Sequence, residues 1–303
     1  MIIMTLDQLR IFIQVAEREH LTRAADALAL TPSAVSSSIK ALEEQYGTML
    51  FHRVGRRIEL TEAGRIFLNE ARMTLNSARA AELTLRELGT MKRGTLNIHA
   101  SQTIASYWLP PILVQFHQQY PQISCNLTVG NTQQVAQSVI EGMADLGYVE
   151  GQIDDGLLNV NTVYDDQVVV VVGPEHPWGN GGLVSPAELV NSSWIMREPG
   201  SGTRAVLEDI LALAGVDISS LTVALTLPSN EAVRSAVISG QFATLVSKFV
   251  VDAHLKTGLL KQVNINLPGN AFRAFYSLTH KARYKSKAGL AFEELVHKNS
   301  AAK

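Results

Sequence analysis

The sequence predicts an α/β protein with a helical N-terminal third, one long helix and a C-terminal domain built around a sheet. Residues 5–46 show helical periodicity, and residues 62–89 continue as one helical stretch. From residue 95 onward, short apolar strands alternate with helices. This alternation is typical of a mainly parallel sheet with helices on both faces. The length of 303 residues fits two or three domains.

These patterns also place the domain boundaries. We expect an N-terminal module at residues 1–61, a helix at 62–89, a hinge at 90–94 and a C-terminal domain at 95–303. The predicted strands of the C-terminal domain are 95–100, 123–129, 144–149, 168–172, 194–196, 221–227 and 242–246. The predicted helices between them include 131–141, 203–214 and 229–239.

Composition excludes several classes of protein. The chain has 26 Lys and Arg against 28 Asp and Glu and is 46% hydrophobic, which is ordinary for a globular protein and excludes a disordered or collagen-like one. Cys125 is the single cysteine, so we expect a buried strand thiol, no internal disulfide and no thiolate zinc site. No apolar run is long enough to span a membrane and no signal-peptide pattern is present, so we expect a cytoplasmic protein without a membrane partner.

The segment 21–46 has the pattern of a helix-turn-helix. A short helix at 21–28 is followed by Thr31, a favourable N-cap, and by Pro32, which suits the first position of a helix. Residues at helical spacing predict a buried stripe on the second helix: Val35, Ile39, Leu42 and Tyr46. Small polar residues and one cation occupy its other face: Ser33, Ser36, Ser37 and Lys40. Such a face is able to approach the bases in a major groove.

The next segment, 51–60, resembles a hairpin with Gly55 in its turn. Arg53, Arg56 and Arg57 cluster there, where a wing would meet the DNA backbone. The alternative is a small helical subdomain whose arginines are merely solvated. With DNA binding as the hypothesis, the contact residues are Thr31, Ser33, Ser36, Ser37, Lys40, Arg53, Arg56 and Arg57.

The long helix carries an uncharged stripe with alternating spacings of four and three residues. Its members are Phe67, Ala71, Thr74, Ala78, Ala81, Leu85 and Leu88. This spacing predicts a coiled-coil seam, and hence a dimer through residues 62–89. The alternative is a helix that packs on its own domain. A twofold dimer would match a pseudo-palindromic DNA operator.

Three junctions of the C-terminal domain combine a strand end with polar residues. Residues 197–204 read Arg-Glu-Pro-Gly-Ser-Gly-Thr-Arg and open a helix, and similar junctions follow at 100–103 and 130–132. Helix N-termini attract anions, and open α/β sheets bind ligands at the carboxyl ends of their strands. The junctions therefore predict one crevice for a small anion, although a Gly-Ser-Gly-Thr turn is also a common helix cap.

The N-terminal residues resemble those of the LysR-type transcriptional regulators. The matching positions are Leu9, Phe12, Ala24–Leu28, Thr31–Ser36, Ile39, Leu42, Glu43, Leu50–Arg53, Arg56, Leu60–Gly64 and Leu68. This resemblance implies a winged helix-turn-helix, a linker helix and a C-terminal domain like the type 2 periplasmic binding proteins. It implies subdomain I at about 94–165 and 268–303, and subdomain II at about 166–267.

Residues 130–132, 145–151 and 197–204 are similar to those of family members that regulate carbon fixation and sulfur assimilation. The resemblance implies a small, anionic effector held by Ser101, Gln102, Thr103, Thr132, Glu150, Arg197, Ser201, Gly202 and Thr203. Glu150 and Arg197 either line the crevice or serve as structural salt-bridge partners. The implied partners are double-stranded DNA, further copies of the chain and RNA polymerase. The copies would form a dimer, and two dimers would form a tetramer.

An enzyme is the main alternative class. It would be a hydrolase or transferase that uses the Ser201 and Thr203 turn, but no phosphate-loop, zinc-protease or nucleophile-elbow motif occurs and the eight histidines lack metal-ligand spacing. A solute-binding protein without a regulatory role would not need residues 1–93. We therefore expect a regulator with no catalytic residue, no metal and no cofactor other than its effector.

Overall fold

The computed structural model describes residues 4–301 apart from 55–56, 89–93, 152 and 266–271. The chain divides into two compact units, residues 1–89 (unit 1) and 90–303 (unit 2). Among the described residues, no helix combines the length and hydrophobicity that crossing a bilayer requires.

Unit 1 consists of four helices and one hairpin. The elements are α1 (Leu6–Arg18), α2 (Leu21–Leu28), α3 (Pro32–Tyr46), β1 (Phe51–Val54), β2 (Arg57–Leu60) and α4 (Glu62–Leu88). The Thr31 side chain caps α3 by accepting the Ala34 N–H at 3.2 Å, as the sequence predicts. Val35, Ile39 and Leu42 are buried, but the prediction was wrong for Tyr46, which is 55% exposed on the last turn of α3.

The turn between α2 and α3 is held by an unusual backbone conformation. Ala29 ends α2 in the left-handed region, with φ of 54°. Glu19 ends α1 in the same way, with φ of 48°. Side chains with a Cβ are strained there, so the tight connections in this unit are formed at some cost in stability.

The first turns of α4 belong to the core of unit 1. Ala71 is buried, and the Phe67 ring stacks on Phe12 with centroids 4.8 Å apart. The sequence places both residues in an intermolecular seam; that assignment was wrong for Ala71, which is buried within unit 1, whereas Phe67 packs on Phe12 and is only partly buried. Further along the helix, Ala81 and Leu85 are exposed, Leu85 by 72%. The side chain of Leu88 is not among those that the structure describes. The unpaired part of the stripe is therefore its C-terminal part.

Unit 2 is a mixed α/β structure. Its helices are α5 (Leu109–Gln119), α6 (Thr132–Glu141), α7 (Gly202–Leu213), α8 (Asn230–Ile238), α9 (Lys248–Lys256) and α10 (Lys287–Ala301). Its strands are β3 (Gly94–Ser101), β4 (Ile123–Gly130), β5 (Leu146–Glu150), β6 (Leu158–Val172), β7 (Leu183–Val184), β8 (Ser193–Arg197), β9 (Thr222–Leu227), β10 (Ala243–Ser247), β11 (Lys261–Gln262), β12 (Asn264–Ile265) and β13 (Phe272–His280).

Within the described residues, the main sheet has the strand order β4-β3-β5-β13-β6-β10-β8-β9, and β11 also pairs with β6. The long strand β6 joins its two halves. Residues 158–167 of β6 pair with β13, and residues 168–172 pair with β10. We call residues 94–167 and 272–301 lobe I and residues 168–265 lobe II. The strand β6 thus crosses from lobe I to lobe II, and the chain is back in lobe I at β13.

Each lobe has a core on both faces of its part of the sheet. In lobe I, Phe116 of α5 and Phe292 of α10 pack together over the sheet, with ring centroids 5.1 Å apart. In lobe II, Trp194 of β8 is fully buried beneath α7. The parallel strands β3, β4, β8 and β9 correspond to predicted strands. The strand β13 and the first half of β6 were not predicted.

Candidate functional site

One face of α3 in unit 1 carries the polar residues expected to read DNA. Ser33, Ser36, Ser37 and Lys40 are all exposed, on the side opposite the buried stripe. Lys40 Nζ lies 3.4 Å from Glu44 Oε1, but both side chains are largely exposed, so this pair adds little to stability. The ammonium group therefore stays available to a phosphate.

The hairpin that follows has the predicted antiparallel pairing. Phe51 pairs with Leu60 and Val54 with Arg57. Gly55 and Arg56 lie outside the described residues, and so do the side chains of Arg53 and Arg57. Contact of the three wing arginines with DNA therefore stays a prediction from the sequence.

An open apolar groove with a volume of about 270 Å³ lies beside the start of α4. Its lining residues are Met4, Leu42, Tyr46, Thr48, Leu50, Ala63 and Phe67. Tyr46, which the sequence places in the core, forms part of this wall. Together with the exposed Leu85, the groove gives unit 1 apolar surface that a partner is able to cover.

In unit 2, polar helix starts follow the carboxyl ends of four parallel strands. The strand β3 leads into residues 102–103 and a π-helical turn at Ile104–Trp108, β4 into α6, β8 into α7, and β9 into α8. Pro110 and Pro111 lack the N–H groups that would continue regular α-helical bonding to Ser106 and Tyr107, which accounts for the wider turn. The four junctions contact one another where the lobes meet, and we call this boundary the crevice.

Direct hydrogen bonds join the lobes along this crevice. The Gln133 N–H of α6 donates to the Gly200 carbonyl at 3.4 Å. The Asn230 N–H of α8 donates to Gln102 Oε1 at 2.7 Å, and Asn230 Nδ2 donates to Thr103 Oγ1 at 3.0 Å. These bonds bring the helix starts of lobe I against those of lobe II.

Glu150, the last residue of β5, is 2% exposed and lies at the centre of the crevice. Its Oε1 accepts the Thr103 N–H at 3.2 Å. Its Oε2 accepts the Thr203 hydroxyl at 3.4 Å and Arg273 Nη1 at 3.2 Å. Thr132 Oγ1 donates to the Glu150 main-chain carbonyl at 2.7 Å, so the backbone of this residue is fixed as well.

Arg273, at the start of β13, connects both lobes. Besides Glu150, its guanidinium donates to Asp166 Oδ2 at 2.8 Å, to Thr203 Oγ1 at 2.9 Å and to Thr103 Oγ1 at 3.3 Å. Ser247 donates to the other Asp166 oxygen at 2.7 Å. Burial raises the pKa of Asp166 against the opposing effect of Arg273 and Ser247. Ionised Asp166 therefore depends on these two partners.

Arg197 is committed to a second set of partners in lobe II. Its Nε and Nη2 donate to the two Glu198 oxygens at 2.8 and 2.9 Å, and Nη1 donates to Asn230 Oδ1 at 2.6 Å. Burial acts to raise the pKa of Glu198, but hydrogen bonds from Arg197 and Asn131 outweigh it, and the pKa lies below its ordinary value. Arg197 thus acts as a salt-bridge partner at the edge of the crevice.

Two glycines allow the close approach of α7 to lobe I. A Cβ on Gly202 would lie 2.1 Å from the Glu150 carbonyl oxygen and 2.7 Å from Thr132 Oγ1. Gly200 has φ of 85°, and a Cβ there would lie 2.9 Å from the Gln133 side chain. Both positions require glycine for contact between the lobes.

Ser101 ends β3 at the base of the crevice. It is 1% exposed, and its hydroxyl has no hydrogen-bond partner among the described residues. Buried hydroxyls are normally satisfied, so an unpaired one at a ligand crevice points to an acceptor supplied from outside the chain. Ser201, also buried, stands at the start of α7 without using its side chain as a cap.

The structure thus brings most of the predicted effector residues together. Four of them contact Glu150: Thr103, Thr132, Gly202 and Thr203. The others flank these residues in the chain or in the crevice: Ser101, Gln102, Ser201 and Arg197. Sequence reasoning missed Asp166, Arg273 and Asn230. A local signal existed for Arg273, because it shares its strand face with the buried Phe275, where a charge is unexpected.

The described residues contain no group of His, Cys, Asp or Glu side chains arranged to hold a metal ion. Cys125 lies on β4 and is half-buried, and burial raises the pKa of its thiol. Thr203 has Arg273 and Glu150 as its partners, so its hydroxyl is a hydrogen-bond donor and acceptor in a buried network.

Comparison with known proteins decides the family. Residues 6–65 match the bacterial regulatory helix-turn-helix model of the lysR family, and residues 89–301 match the LysR substrate-binding domain. The chain belongs to the LysR family of transcriptional regulators. The fold class predicted from the sequence is confirmed: a LysR winged helix-turn-helix, a linker helix and a two-lobed domain like the type 2 periplasmic binding proteins.

Relatives of this LysR protein cover nearly the whole chain. It is 34% identical over 284 residues to YeiE, an uncharacterized HTH-type transcriptional regulator of Escherichia coli K12, covering 94% of each chain. It is also 34% identical over 291 residues to a probable RuBisCO transcriptional regulator of Cyanidium caldarium, covering 95% of this chain and 92% of the relative. The predicted resemblance to regulators of carbon fixation is therefore confirmed.

Solved structures show the same fold. Full-length CbnR in complex with its target DNA superposes with a TM-score of 0.72 at 20% identity, over 97% of this LysR chain and 99% of CbnR. The regulatory domain of Synechocystis CcmR, in complex with 2-PG, gives a TM-score of 0.62 at 26% identity. This second match covers 69% of the LysR chain and 98% of the CcmR domain.

Proposed function

We propose that this LysR protein is an effector-responsive regulator that binds a small oxyanion in the crevice of unit 2. The observation that carries the proposal is the buried Ser101 hydroxyl, which has no partner within the described part of the chain and lies at the end of β3, the first of the four junctions. N–H groups in first helical turns and aimed hydroxyls are suited to anionic oxygens. The complex of the CcmR regulatory domain with 2-PG, on a similar domain, supports a small-molecule effector in this domain.

The proposed contacts are the predicted residues Ser101, Gln102, Thr103, Thr132, Glu150, Arg197, Ser201, Gly202 and Thr203. Thr203 is the most informative of them to change, because its hydroxyl already bonds both Glu150 and Arg273. Replacing it with Ala removes one buried donor, which typically costs about 1–3 kcal/mol when an acceptor is left unpaired. We therefore expect T203A to bind the effector roughly 5- to 150-fold more weakly.

The experiment is a thermal-shift screen followed by calorimetry, because a ligand of the native state raises its melting temperature. Sulfate, inorganic phosphate and 2-phosphoglycolate are compared at constant ionic strength on the wild type, S101A and T203A. Stabilisation of the wild type that both variants weaken supports the crevice. Wild-type affinity in both variants would place the anion elsewhere.

On the DNA side, we propose that α3 enters the major groove of a pseudo-palindromic operator. The exposed Ser33, Ser36, Ser37 and Lys40 face the bases and phosphates, and the wing arginines contact the backbone. The complex of CbnR with its target DNA, on the same fold, supports this docking. Phosphate contacts make binding salt-dependent, so Arg56→Ala should weaken binding to all sequences alike and flatten the salt dependence.

A dimer would place two such modules on the DNA. We propose that it forms through residues 62–89, because the exposed Leu85 and the apolar groove near Phe67 both lie on or beside α4. Two dimers would assemble into a tetramer, with RNA polymerase as a further partner. Effector binding would then change how the lobes meet and so the spacing of the DNA-binding modules. A DNase footprint that every bound anion leaves unchanged would contradict this coupling.

A further inference from the structure

The carboxylate of Glu150 is bound as a free anion would be. Its donors are a backbone N–H from lobe I (Thr103), a hydroxyl from the first turn of α7 (Thr203) and a buried guanidinium (Arg273). Backbone amides, hydroxyls and arginine together are the usual donors of an oxyanion site. The chain's own carboxylate therefore takes up the anion-binding capacity of the crevice.

The two carboxylates on Arg273 are held with different firmness. Asp166 has short hydrogen bonds of 2.7 Å from Ser247 and 2.8 Å from Arg273, and it sits on a crossing strand. The bonds to the Glu150 carboxylate are 3.2 to 3.4 Å long. Glu150 also has the longer side chain, and Gly151 follows it at φ of 85°. Of the two acids, Glu150 is the one able to leave Arg273.

The charges of the network also favour Glu150 as a carboxylate that an incoming anion displaces. Two arginines, Arg197 and Arg273, are bonded to three carboxylates, those of Glu150, Asp166 and Glu198. A further anion added to this buried set would lack a cation, which is costly in a low-dielectric site. If the anion instead replaces Glu150, one negative charge leaves the site as the anion enters, and one carboxylate moves toward water.

We propose that Glu150 is a displaceable occupant of the effector site: the effector oxyanion takes over its hydrogen bonds from Thr103, Thr203 and Arg273. This inference rests on the proposed effector crevice and adds its regulation. Ser101 supplies a donor that Glu150 does not use, so the effector gains a bond that the internal carboxylate cannot form. Its class is a small oxyanion with at least two acceptor oxygens.

The test uses the full-length protein and three probes: acetate, sulfate and 2-phosphoglycolate. E150A removes the occupant, so acetate and sulfate should bind at least about tenfold more tightly than to the wild type, since a competing charge at a buried site is removed. The control is D165N, which removes an exposed carboxylate of β6 next to Asp166. D165N should bind each probe within about twofold of the wild type. In E150A/T203A the gain should disappear.

If E150A does not fold, as judged by operator binding and cooperative unfolding, E150Q takes its place. It keeps the size of the side chain but turns an amide NH₂ toward donors, so anions should again bind more tightly than to the wild type. The displacement is wrong if neither variant gains affinity while the wild type binds an anion that T203A loses; the crevice proposal would then stand. If no probe binds any of these proteins, both proposals fall. An equal gain in D165N would also overturn the displacement, because it would show a general charge effect.

Discussion

Arg273→Met is the substitution with the largest effect that the structure predicts on unit 2. It removes the cation between Asp166 and Glu150, which are 1% and 2% exposed. Removing one partner of a buried ion pair typically costs about 3–5 kcal/mol, because the remaining charge is left unpaired in a low-dielectric site. In a unit of about 200 residues, each kcal/mol lowers the melting temperature by roughly 2–4 °C. We therefore expect Arg273→Met to lower the melting temperature of unit 2 by about 6–20 °C.

Tryptophan fluorescence isolates this unit, because the three tryptophans, Trp108, Trp178 and Trp194, all lie in it. Urea and thermal unfolding of the full chain then report on unit 2 alone. The control is Arg204→Met, whose pair with Glu208 at 2.8 Å is partly exposed and should contribute less than about 1 kcal/mol.

The pH dependence gives a second, independent readout. Burial raises the pKa of Asp166 even with Arg273 present, and R273M loses a cause that lowers this pKa, so the pKa lies higher still in the variant. The deficit of R273M should therefore grow as pH rises above the raised wild-type pKa of Asp166. The difference between wild type and variant should accordingly be smaller at pH 5 than at pH 7.5. Adding Asp166→Asn should restore a large part of the loss at pH 7.5. A variant that melts within about 2 °C of the wild type would refute the reasoning.

Three further predictions concern other parts of the chain. Leu85→Glu should shift sedimentation from dimer to monomer, because it places a charge on the exposed end of the α4 stripe, whereas Arg79→Glu, outside the stripe, should not. Ala29→Gly should stabilise α2 by about 0.5–1 kcal/mol by relieving its positive φ, and Ala27→Gly, inside the helix, should cost about 1 kcal/mol; amide hydrogen exchange measures both. Burial lowers the pKa of His176 below 6.5, so the stability that its neutral ring contributes is present above that pH and lost below it; in urea titrations H176Q should lose less stability than the wild type between pH 7.5 and 5.5.

The parts of the fold that follow local patterns were predictable from the sequence. The α3 cap at Thr31, the α2–α3 pair and the strand-to-helix junctions each have a signature within a few residues. The strands β6 and β13, which pair where the lobes join, have no such local signature. The first half of β6 is polar and partly exposed, and β13 carries Arg273 as its second residue, so neither is recognisable as a buried strand.

The lack of a local signature also explains why sequence reasoning missed Asp166 and Arg273 at the site. Asp166 and Arg273 are 107 residues apart in the chain, and the bond between them exists only because β6 and β13 pair in the sheet. Phe67 and Ala71 show the converse case. Their spacing fits an intermolecular seam and an internal core equally well, and only the position of Phe12 decides between them.

The way Glu150 joins the lobes also determines which anions should act as effectors. Its two oxygens bond Thr103 of lobe I and Thr203 of lobe II, so the carboxylate is a bridge as well as a counterion for Arg273. A ligand shifts a conformational equilibrium only through its different affinity for the two states. An anion that replaces Glu150 and bonds both threonines and Ser101 changes this bridge, whereas an anion that cannot take over its hydrogen bonds leaves Glu150 in place.

Sulfate and chloride separate these two cases. Sulfate has oxygens for Thr103, Thr203 and Ser101 at once, whereas chloride is a single, weakly hydrogen-bonding acceptor. At equal ionic strength, sulfate should therefore alter the operator footprint, because it replaces the Glu150 bridge by one that also includes Ser101 and so changes how the lobes meet. Chloride should not, because it is too weak an acceptor to take over the hydrogen bonds of Glu150. Equal ionic strength keeps the general screening of phosphate contacts the same in both arms. The same change in footprint with both salts would show that occupation of Arg273 is sufficient and that the bridge between Thr103 and Thr203 has no role in the response.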